Sequence, residues 1–423
     1  MTNFSFKSLL ILALGIFFAV FAAKAEEEPD DDTPAKRQEE PPVTFRISGF
    51  VKTDYWFDSR TVVSAREDLF LLYPEREILD PDLSYDLNGS PSFNFSAITS
   101  RIRGTIEGPE AFKARTSGII EADFSGVTNA DINGFRLRHA VMKLQWPSVE
   151  LMLGQWWHPM FGEEVVPTVI SLNTGAPFQP FIRNPQITFN FQTGDVQTIV
   201  SAIAQRDNAS DGPQGASPQY LRNSLMPNLH LQFIYKEQFN TMGIAFDYKR
   251  LRPRTITDQF YKASGSFGTY AVMAYLRHQS RGWDIKAKGI YGQNLSEHLM
   301  MGGYAESSID PVTGEVTYTP LGNLMTWANV VYGKTRQVGL FIGYSKNYGA
   351  LDPVVGNYYG RGHDIDYLYR IAPSFSLISG KVQFSSEIEY TVAAYGNPDN
   401  MGIVRNAQPV GNVRVLFAGF YFF

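Results

Sequence analysis

Val413-Arg414-Val415-Leu416-Phe417-Ala418-Gly419-Phe420-Tyr421-Phe422-Phe423 is the stretch that decides the fold, because it alternates up to the last residue of the sequence. Successive side chains of an extended strand point to opposite faces. One face therefore carries Val413, Val415, Phe417, Gly419, Tyr421 and Phe423. Such an apolar strand, ending on an aromatic residue, is typical of the closing strand of an outer-membrane β-barrel. We expect Phe423 and Tyr421 to act as the signal that the barrel-assembly machinery recognises.

The same alternation begins at Thr44 and recurs along the chain. In the first segment Phe45, Ile47, Gly49, Val51, Thr53, Tyr55 and Phe57 lie opposite Arg46, Ser48, Lys52 and Asp54. A period of two with one apolar face and one polar face predicts strands between lipid and water. Because no strand edge can remain open in lipid, the last strand should pair with the strand at residues 44–57. This pairing places both ends of the barrel on the periplasmic side and Arg414 in the lumen.

Short turns separate pairs of alternating segments and set the number of strands. Seven tripeptides or dipeptides have the composition of tight turns: Gly108-Pro109-Glu110, Trp146-Pro147-Ser148, Gly194-Asp195, Lys236-Glu237-Gln238, Ser280-Arg281-Gly282, Gly333-Lys334-Thr335 and Ser379-Gly380-Lys381. Seven turns imply eight hairpins, so we predict an all-β, antiparallel, up-and-down transmembrane barrel of about 16 strands. Long loops are expected near 58–92, 125–134, 158–183, 207–223, 253–267, 294–322, 346–362 and 396–409. A barrel of about this size encloses an aqueous channel.

The first 43 residues predict export and a polar extension. Lys7, the apolar run 9–22 and Ala23-Lys24-Ala25 form the pattern of a signal peptide over residues 1–25. Residues 26–43 are acidic and rich in proline, and we expect a disordered periplasmic segment. The barrel should then occupy residues 44–423 in the outer membrane of a Gram-negative bacterium. A soluble periplasmic β-protein would carry the same signal and remains an alternative.

Composition agrees with a barrel and excludes other membrane architectures. The sequence has no cysteine, so disulfide bonds and a lipoprotein anchor are excluded. No segment approaches about 18 uninterrupted apolar residues, so spanning by helices is excluded. Mean hydropathy is −0.18 while aromatic residues make up 14%, as expected for a wall with a polar lumen and aromatic girdles.

The third long loop, 158–183, is the segment that could narrow the channel. It is rich in Val, Ile, Phe and Pro, which favours packing against a wall over exposure. We therefore predict that it folds inward. Strand alternation places a set of basic residues on the facing wall: Arg46, Lys52, Arg101, Arg103, Arg115, Arg136 and Arg138. Glu163 and Glu164 of the loop would oppose them, and basic residues lining a pore favour anions. Alternatively, these arginines are ordinary lumen residues paired with Glu121 and Asp123.

One strand departs from strict alternation. In the strand that starts near Phe135, Met142 and Lys143 would occupy the wrong faces. A subunit interface or a β-bulge would explain the departure, and the sequence leaves both open.

Phe135-Arg136-Leu137-Arg138-His139-Ala140, followed by Gly154-Gln155-Trp156-Trp157, resembles the signature region of the DcaP-like porins, and the terminal Phe423 is similar to theirs. The resemblance is diffuse along 44–423 and concentrated in 135–157. It implies a sixteen-stranded trimeric porin whose third loop, beginning after Trp157, forms the constriction. It also implies uptake of small, often negatively charged solutes, with Arg136 and Arg138 as bases of the pore wall. Residues 26–43 lack the heptads of the coiled-coil-like extension that members of that family can carry.

Other chemistry has little support in the sequence. None of His139, His158, His230, His278, His298 and His363 lies in a metalloprotease motif or a recognisable catalytic triad. Clustered loop carboxylates could bind Ca²⁺ but lack EF-hand spacing; they are Asp80, Asp82, Asp86, Asp364 and Asp366. We predict no metal, no cofactor, no enzymatic activity and no nucleic-acid partner. The expected function is passive diffusion of small hydrophilic, anionic solutes; the alternative is a barrel whose outer loops serve adhesion or hydrolysis.

Overall fold

The computed structural model describes residues 43–423. The predicted signal peptide and all but Val43 of the predicted acidic segment lie outside the described residues. The described part contains 21 strands: β1 Thr44–Asp58, β2 Val62–Ala65, β3 Phe70–Pro74, β4 Ser92–Ser96, β5 Arg101–Ala111, β6 Ala114–Asp123, β7 Arg136–Gln145, β8 Val149–Trp157, β9 Arg183–Thr193, β10 Val196–Ile203, β11 Asn228–Lys236, β12 Asn240–Leu251, β13 Phe267–Ser280, β14 Trp283–Gln293, β15 Gly302–Ile309, β16 Val316–Gly333, β17 Arg336–Ala350, β18 Tyr358–Arg361, β19 Ile365–Ser379, β20 Val382–Pro398 and β21 Val404–Phe422.

Helices are few and short. The described chain has one α-helix, Gln219–Asn223, and 3₁₀ turns at Asn129–Asp131, Pro159–Phe161 and Ser296–His298. Within residues 43–423 no helix is long and apolar enough to cross a bilayer, a finding that concerns helices alone.

The strands form one closed antiparallel barrel with 16 strand positions around the wall, as predicted. Each position is called a stave below. β4 and β5 both pair with β1 and together make the second stave, while β15 and β18 extend the outer loops. The barrel closes between β1 and β21, where Phe50 lies opposite Phe422 and Asp58 lies opposite Arg414. Phe423 continues this closure, because its N–H and C=O both bond to the backbone of Gly49. The predicted pairing of the first and last strands is confirmed.

The two faces of the wall divide as the alternation predicts. On β11, Leu229, Leu231 and Phe233 are exposed on the outside, whereas His230 and Gln232 are buried inside. Arg414 lies in the lumen and bonds to Asp58 at 2.6 Å. The outer surface is thus an apolar belt, as expected of a barrel wall that faces lipid.

The turns explain why neighbouring strands stay in register. Six of the seven predicted turns lie where the sequence places them, and the first lies at Phe112-Lys113, just after the predicted site. At Arg281-Gly282 both residues have positive φ, 49° and 91°. Positive φ at both central residues characterises the two-residue turn whose twist matches that of a hairpin. The glycine there adopts this conformation without steric cost.

A β-bulge accounts for the irregular strand. Glu121 pairs with His139 while the next residue, Ala122, pairs with Leu137, so Arg138 is an extra residue in β7. An extra residue shifts the alternation by one position. Arg138 and His139 consequently both face the lumen, and both are buried.

Two outer loops pack together inside the wall. The hairpin β2–β3 of the first loop and the third loop, 158–182, supply many of the residues of the main apolar cluster. Phe70 contacts Phe181 with ring centroids 5.0 Å apart. The first loop was not expected to fold this way from the sequence, although Phe70-Leu71-Leu72-Tyr73 is a run of apolar residues of the kind buried on both faces.

Candidate functional site

The third loop leaves the wall and returns to it at one place. Trp157, the last residue of β8, lies opposite Arg183, the first residue of β9. The loop starts with a 3₁₀ turn, in which the imidazole of His158 accepts a hydrogen bond from the N–H of Met160 at 3.2 Å. Gly162 ends the turn with φ of 59°. A side chain at this position would be strained in that conformation.

The middle of the loop bonds to inner-face side chains of β1 and β20. The ammonium of Lys52 donates to the carbonyl oxygen of Ile170 at 3.0 Å. The carboxylate of Glu387 accepts from the N–H groups of Ile170 and Ser171 at 2.9 and 3.1 Å. The amide of Asn173 donates to Glu389 at 3.0 Å. These bonds fix the loop against a wall far from its own ends.

Further bonds reach β14, β16 and β19. Each involves a lumen side chain and a group of the loop: Lys286 with Thr168 Oγ1 at 2.7 Å, Lys288 with the carbonyl of Phe161 at 2.5 Å, Trp327 with Gln179 at 3.0 Å, and Arg370 with the carbonyl of Ala176 at 2.9 Å. Buried carbonyl groups need such partners, because an unpaired one is costly. These bonds alone join the loop to five staves in addition to the two that carry it.

The first loop is held beside it in the same way. The guanidinium of Arg370 donates to the carbonyl of Leu72 at 2.8 Å, and that of Arg414 donates to the carbonyl of Leu69 at 3.2 Å. Asn173 of the third loop donates to the carbonyl of Leu71 at 3.1 Å. Arginines of the wall therefore anchor both loops through backbone carbonyls.

Four of the predicted arginines meet around two carboxylates. Arg138 bonds to Glu121 and to Asp123, each at 2.8 Å. Arg136 bonds to Asp123 at 3.1 Å through two nitrogens. Bidentate arginine–carboxylate pairs are strong and geometrically specific. The pairing that the sequence offered as an alternative to the constriction is therefore present.

Arg101 and Arg103 complete this set from β5. Arg103 contacts Glu121 at 2.5 Å, and Arg101 contacts it at 3.6 Å. Their side chains are 24% and 37% exposed, whereas that of Arg138 is 1% exposed. The accessible positive charge of this wall is thus on Arg101 and Arg103, while Arg136 and Arg138 lie beneath it.

A further pair extends the set and was missed from the sequence. Arg183 bonds to Asp207 at 2.9 Å and stacks over the ring of Trp157. Burial alone would raise the pKa of Asp207, but Arg183 and Arg136 hold that pKa below its usual value. We call the whole group the arginine cluster; it consists of Arg101, Arg103, Arg136, Arg138 and Arg183 with Glu121, Asp123 and Asp207. Five guanidinium groups against three carboxylates leave a net charge of two positive units.

The remaining predicted residues lie elsewhere. Arg46 and Arg115 are exposed near the turn end of the barrel, outside the arginine cluster. Lys52 is buried and pairs with Asp54 at 2.8 Å.

The two glutamates of the loop lie near the start of its inward course. Glu163 accepts from the indole N–H of Trp156 at 2.6 Å. Glu164 lies 3.4 Å from the ammonium of Lys236. Both line one cavity of about 190 Å³, together with Trp156. Arg103 lies over the ring of Trp156, 5.9 Å from its centroid, so the arginine cluster and the glutamates approach each other through this indole.

The loop carboxylates considered for Ca²⁺ have protein partners. Asp86 pairs with Arg60 at 3.0 Å and Asp364 pairs with Arg76 at 2.9 Å. Asp366 pairs with Lys346 at 2.5 Å, and Asp80 accepts from the N–H of Ser84 at 2.7 Å. The structure does not bring these residues together as a ligand set.

The fold has clear neighbours among solved structures. The outer membrane channel DcaP of Acinetobacter baumannii matches with a TM-score of 0.67 at 14% identity, over 92% of this chain and 99% of that chain. The anion-selective porin from Comamonas acidovorans matches with a TM-score of 0.54 at 10% identity, over 90% and 100%. A trimer form of OmpT, an outer membrane protein of Vibrio cholerae, matches with a TM-score of 0.55 at 8% identity, over 90% and 100%.

Sequence comparisons add no relative. No protein-family model matches the chain, and no curated protein matches it. At these identities the structural matches establish the fold: a sixteen-stranded porin-type barrel of the kind found in the outer membrane of Gram-negative bacteria. The resemblance to the DcaP-like porins is thus confirmed at the level of the fold.

Proposed function

We propose that the chain forms a water-filled channel in the outer membrane for passive diffusion of small hydrophilic, anionic solutes. The observation that carries this proposal is the third loop, which bonds to wall side chains across the lumen and lies beside a cluster with surplus positive charge. A barrel of 16 strands encloses a channel, and an inward loop is what sets its bore.

Selectivity for anions follows from where the charges lie. Arg101 and Arg103 are the accessible members of the arginine cluster, and Glu163 and Glu164 lie on the loop near it. A surplus of arginine in a pore favours anions, and the two glutamates of the loop supply the opposing charge beside it. The Comamonas porin of similar fold is described as anion-selective, which supports the proposal.

Exchanging Arg101 and Arg103 for glutamine tests the selectivity. Arg101→Gln with Arg103→Gln removes two positive charges while Arg136 and Arg138 still neutralise Asp123 and Glu121. We expect the reversal potential in a planar bilayer under a salt gradient to shift toward cation preference. The measurement uses purified barrels and compares them with wild type at equal salt.

Arg115→Gln is the matched control, because Arg115 is exposed and lies outside the arginine cluster. It should leave the reversal potential near the wild-type value. An unchanged reversal potential in the double variant would rule out these arginines as selectivity residues. Absence of conductance steps from folded wild-type protein would rule out the channel itself. It would favour the alternative, a barrel whose outer loops serve adhesion or hydrolysis.

We extend the proposal to a homotrimer inserted into lipid by the barrel-assembly machinery. The trimer form of the Vibrio protein of similar fold supports the assembly state. The apolar outer belt supports insertion into lipid.

Removing the final residue tests the assembly signal. Deletion of Phe423 removes the last backbone pair with Gly49 and the terminal aromatic side chain. We expect a large loss of correctly inserted barrel in outer membranes, with unchanged conductance for those barrels that do insert. The measurement is the amount of heat-modifiable, folded protein in isolated membranes. Trp283→Ala, which removes an exposed aromatic residue from β14, is the control. Normal insertion of the deletion variant would contradict this role.

A further inference from the structure

A group of titratable side chains lies where the third loop meets β11 and β12. His230 and Asp247 face each other across these two strands. His158 joins them from the first residue of the loop. The three residues are buried, with exposed fractions of 2%, 7% and 2% for His230, Asp247 and His158. None of them belongs to the arginine cluster.

The spacing of their ligand atoms matches a tetrahedral metal site. His230 Nδ1 lies 3.1 Å from Asp247 Oδ2, and His158 Nε2 lies 3.7 Å from the same oxygen. All three ligand atoms lie within 4.8 Å of one another. Zinc bonds to nitrogen and oxygen at about 2.0–2.2 Å, so neighbouring ligands of a tetrahedral ion lie roughly 3.3 Å apart. The pair distances lie on either side of this value.

Hydrogen bonds around the group occupy one nitrogen of each imidazole, Nδ1 of His158 and Nε2 of His230, and the other nitrogen of each ring faces Asp247. His230 Nε2 bonds to the oxygen of Gln232 at 3.1 Å, and the amide of Gln232 bonds to the hydroxyl of Tyr275 at 2.6 Å. A metal-ligating histidine typically donates its other N–H to an acceptor in this way. Within residues 43–423, Nε2 of His158 is buried and has no hydrogen-bond partner. Such an orphaned nitrogen calls for an explanation.

We propose that His158, His230 and Asp247 bind one divalent transition-metal ion, of which Zn²⁺ is the model. The ion replaces the protons between the two imidazoles and the carboxylate. Coordination through Nε2 moves the His158 proton to Nδ1, so the hydrogen bond from Met160 is exchanged for a metal–nitrogen bond. Two imidazoles and one carboxylate suit Zn²⁺ better than Ca²⁺ or Mg²⁺, which prefer oxygen.

The surroundings provide access and balance the charge. His158 and Gln232 both line the cavity of about 190 Å³ that also contains Glu163 and Glu164. A water molecule that enters from this cavity beside His158 would be the fourth ligand. Lys249, an ammonium group of β12 near His158, bonds to Glu297. Bound metal would join the base of the third loop to β11 and β12, a role that is independent of anion selectivity.

The test is zinc binding to purified, untagged, full-length protein in detergent after treatment with a chelator. We expect calorimetry to show one high-affinity Zn²⁺ per chain. His158→Gln and His230→Gln should each weaken binding by at least about 100-fold. His363→Gln is the matched control, because His363 lies in an outer loop and stacks on Tyr358; it should bind like wild type. Heat-modifiable gel mobility establishes that each variant is folded.

A second measurement does not depend on any variant. Cobalt(II) added to metal-free wild type should give the intense visible absorption of a tetrahedral site, and Zn²⁺ should abolish it. Equal zinc affinity in the cluster variants and in His363→Gln would mean an adventitious ion only, and would overturn the proposal. Failure of wild type to bind Zn²⁺ or to give the cobalt spectrum would overturn it as well.

Discussion

Replacing residues 159–181 with an Asn-Gly turn is expected to raise the single-channel conductance roughly twofold or more, because the third loop sets the narrowest cross-section. The replacement is compatible with the fold. His158 and Ile182 already bond at 3.0 Å between backbone N and O. A two-residue turn is the usual connection for strands at that separation. The measurement is conductance per step in a planar bilayer at fixed salt.

The loop's contacts explain why the effect should be large. The loop occupies the lumen from Phe161, held by Lys288, to Ala176, held by Arg370. Without the loop, the side chains of Lys288 and Arg370 lose these partners and are hydrated by the water of the lumen. Shortening the tip of the β15–β16 hairpin at residues 310–313, most of which are exposed, is the control, and it should leave conductance unchanged. An unchanged conductance after replacement of the third loop would show that another segment sets the bore.

Arg138→Ala is expected to cost about 3–5 kcal/mol of barrel stability, because breaking a buried ion pair leaves uncompensated charge. Arg138 bonds to both Glu121 and Asp123, and its side chain is 1% exposed. The neighbouring guanidinium groups retain part of the pairing, which favours the lower end of that range. The measurement is the free energy of unfolding in urea for barrels in detergent micelles.

Two variants distinguish the loss of a buried ion pair from the general effect of replacing an arginine by alanine. Arg115→Ala should change stability by no more than about 0.5 kcal/mol, as is usual for an exposed residue. Glu121→Gln should recover part of the loss when combined with Arg138→Ala, because it removes one of the stranded carboxylates. A double variant that loses the full sum of both single effects would show that the two residues do not act as a pair.

The sequence was sufficient for the fold because a barrel wall repeats one physical rule. Lipid outside and water inside impose alternation on every stave, so β11 and β14 could be read from their own residues. Tight turns such as Lys334-Thr335 were equally local. The first turn was misplaced by a few residues because Phe112 and Lys113 adopt positive φ, and their side chains give no such signal.

The candidate site was harder to predict because its contacts are not local. Alternation placed Arg101 and Arg138 in the lumen, but it could not show that only the former is accessible. The bulge at Arg138 depends on the register against Glu121, which lies on another strand. Likewise His158 and His230 are separated by 72 positions and meet only when the third loop folds. The inward first loop has one local signal in the sequence, the apolar run 70–73, but that run does not specify which wall residues it contacts.

The gap between β4 and β5 has a consequence for motion in the wall. Residues 97–100 leave the ladder, and the hydroxyl of Ser100 replaces the missing strand by accepting from the N–H of Lys52 at 3.0 Å. The same hydroxyl donates to the carbonyl oxygen of Lys52 at 3.3 Å. These two side-chain hydrogen bonds take the place of a row of backbone bonds, and local opening is easiest where few bonds must break. We therefore expect the amide protons near Lys52 to exchange with solvent faster than those elsewhere in β1. The place where the wall opens most easily is therefore between β1 and the second stave. The pairing of β1 with β21, which closes the barrel, is continuous from Phe50 to Asp58.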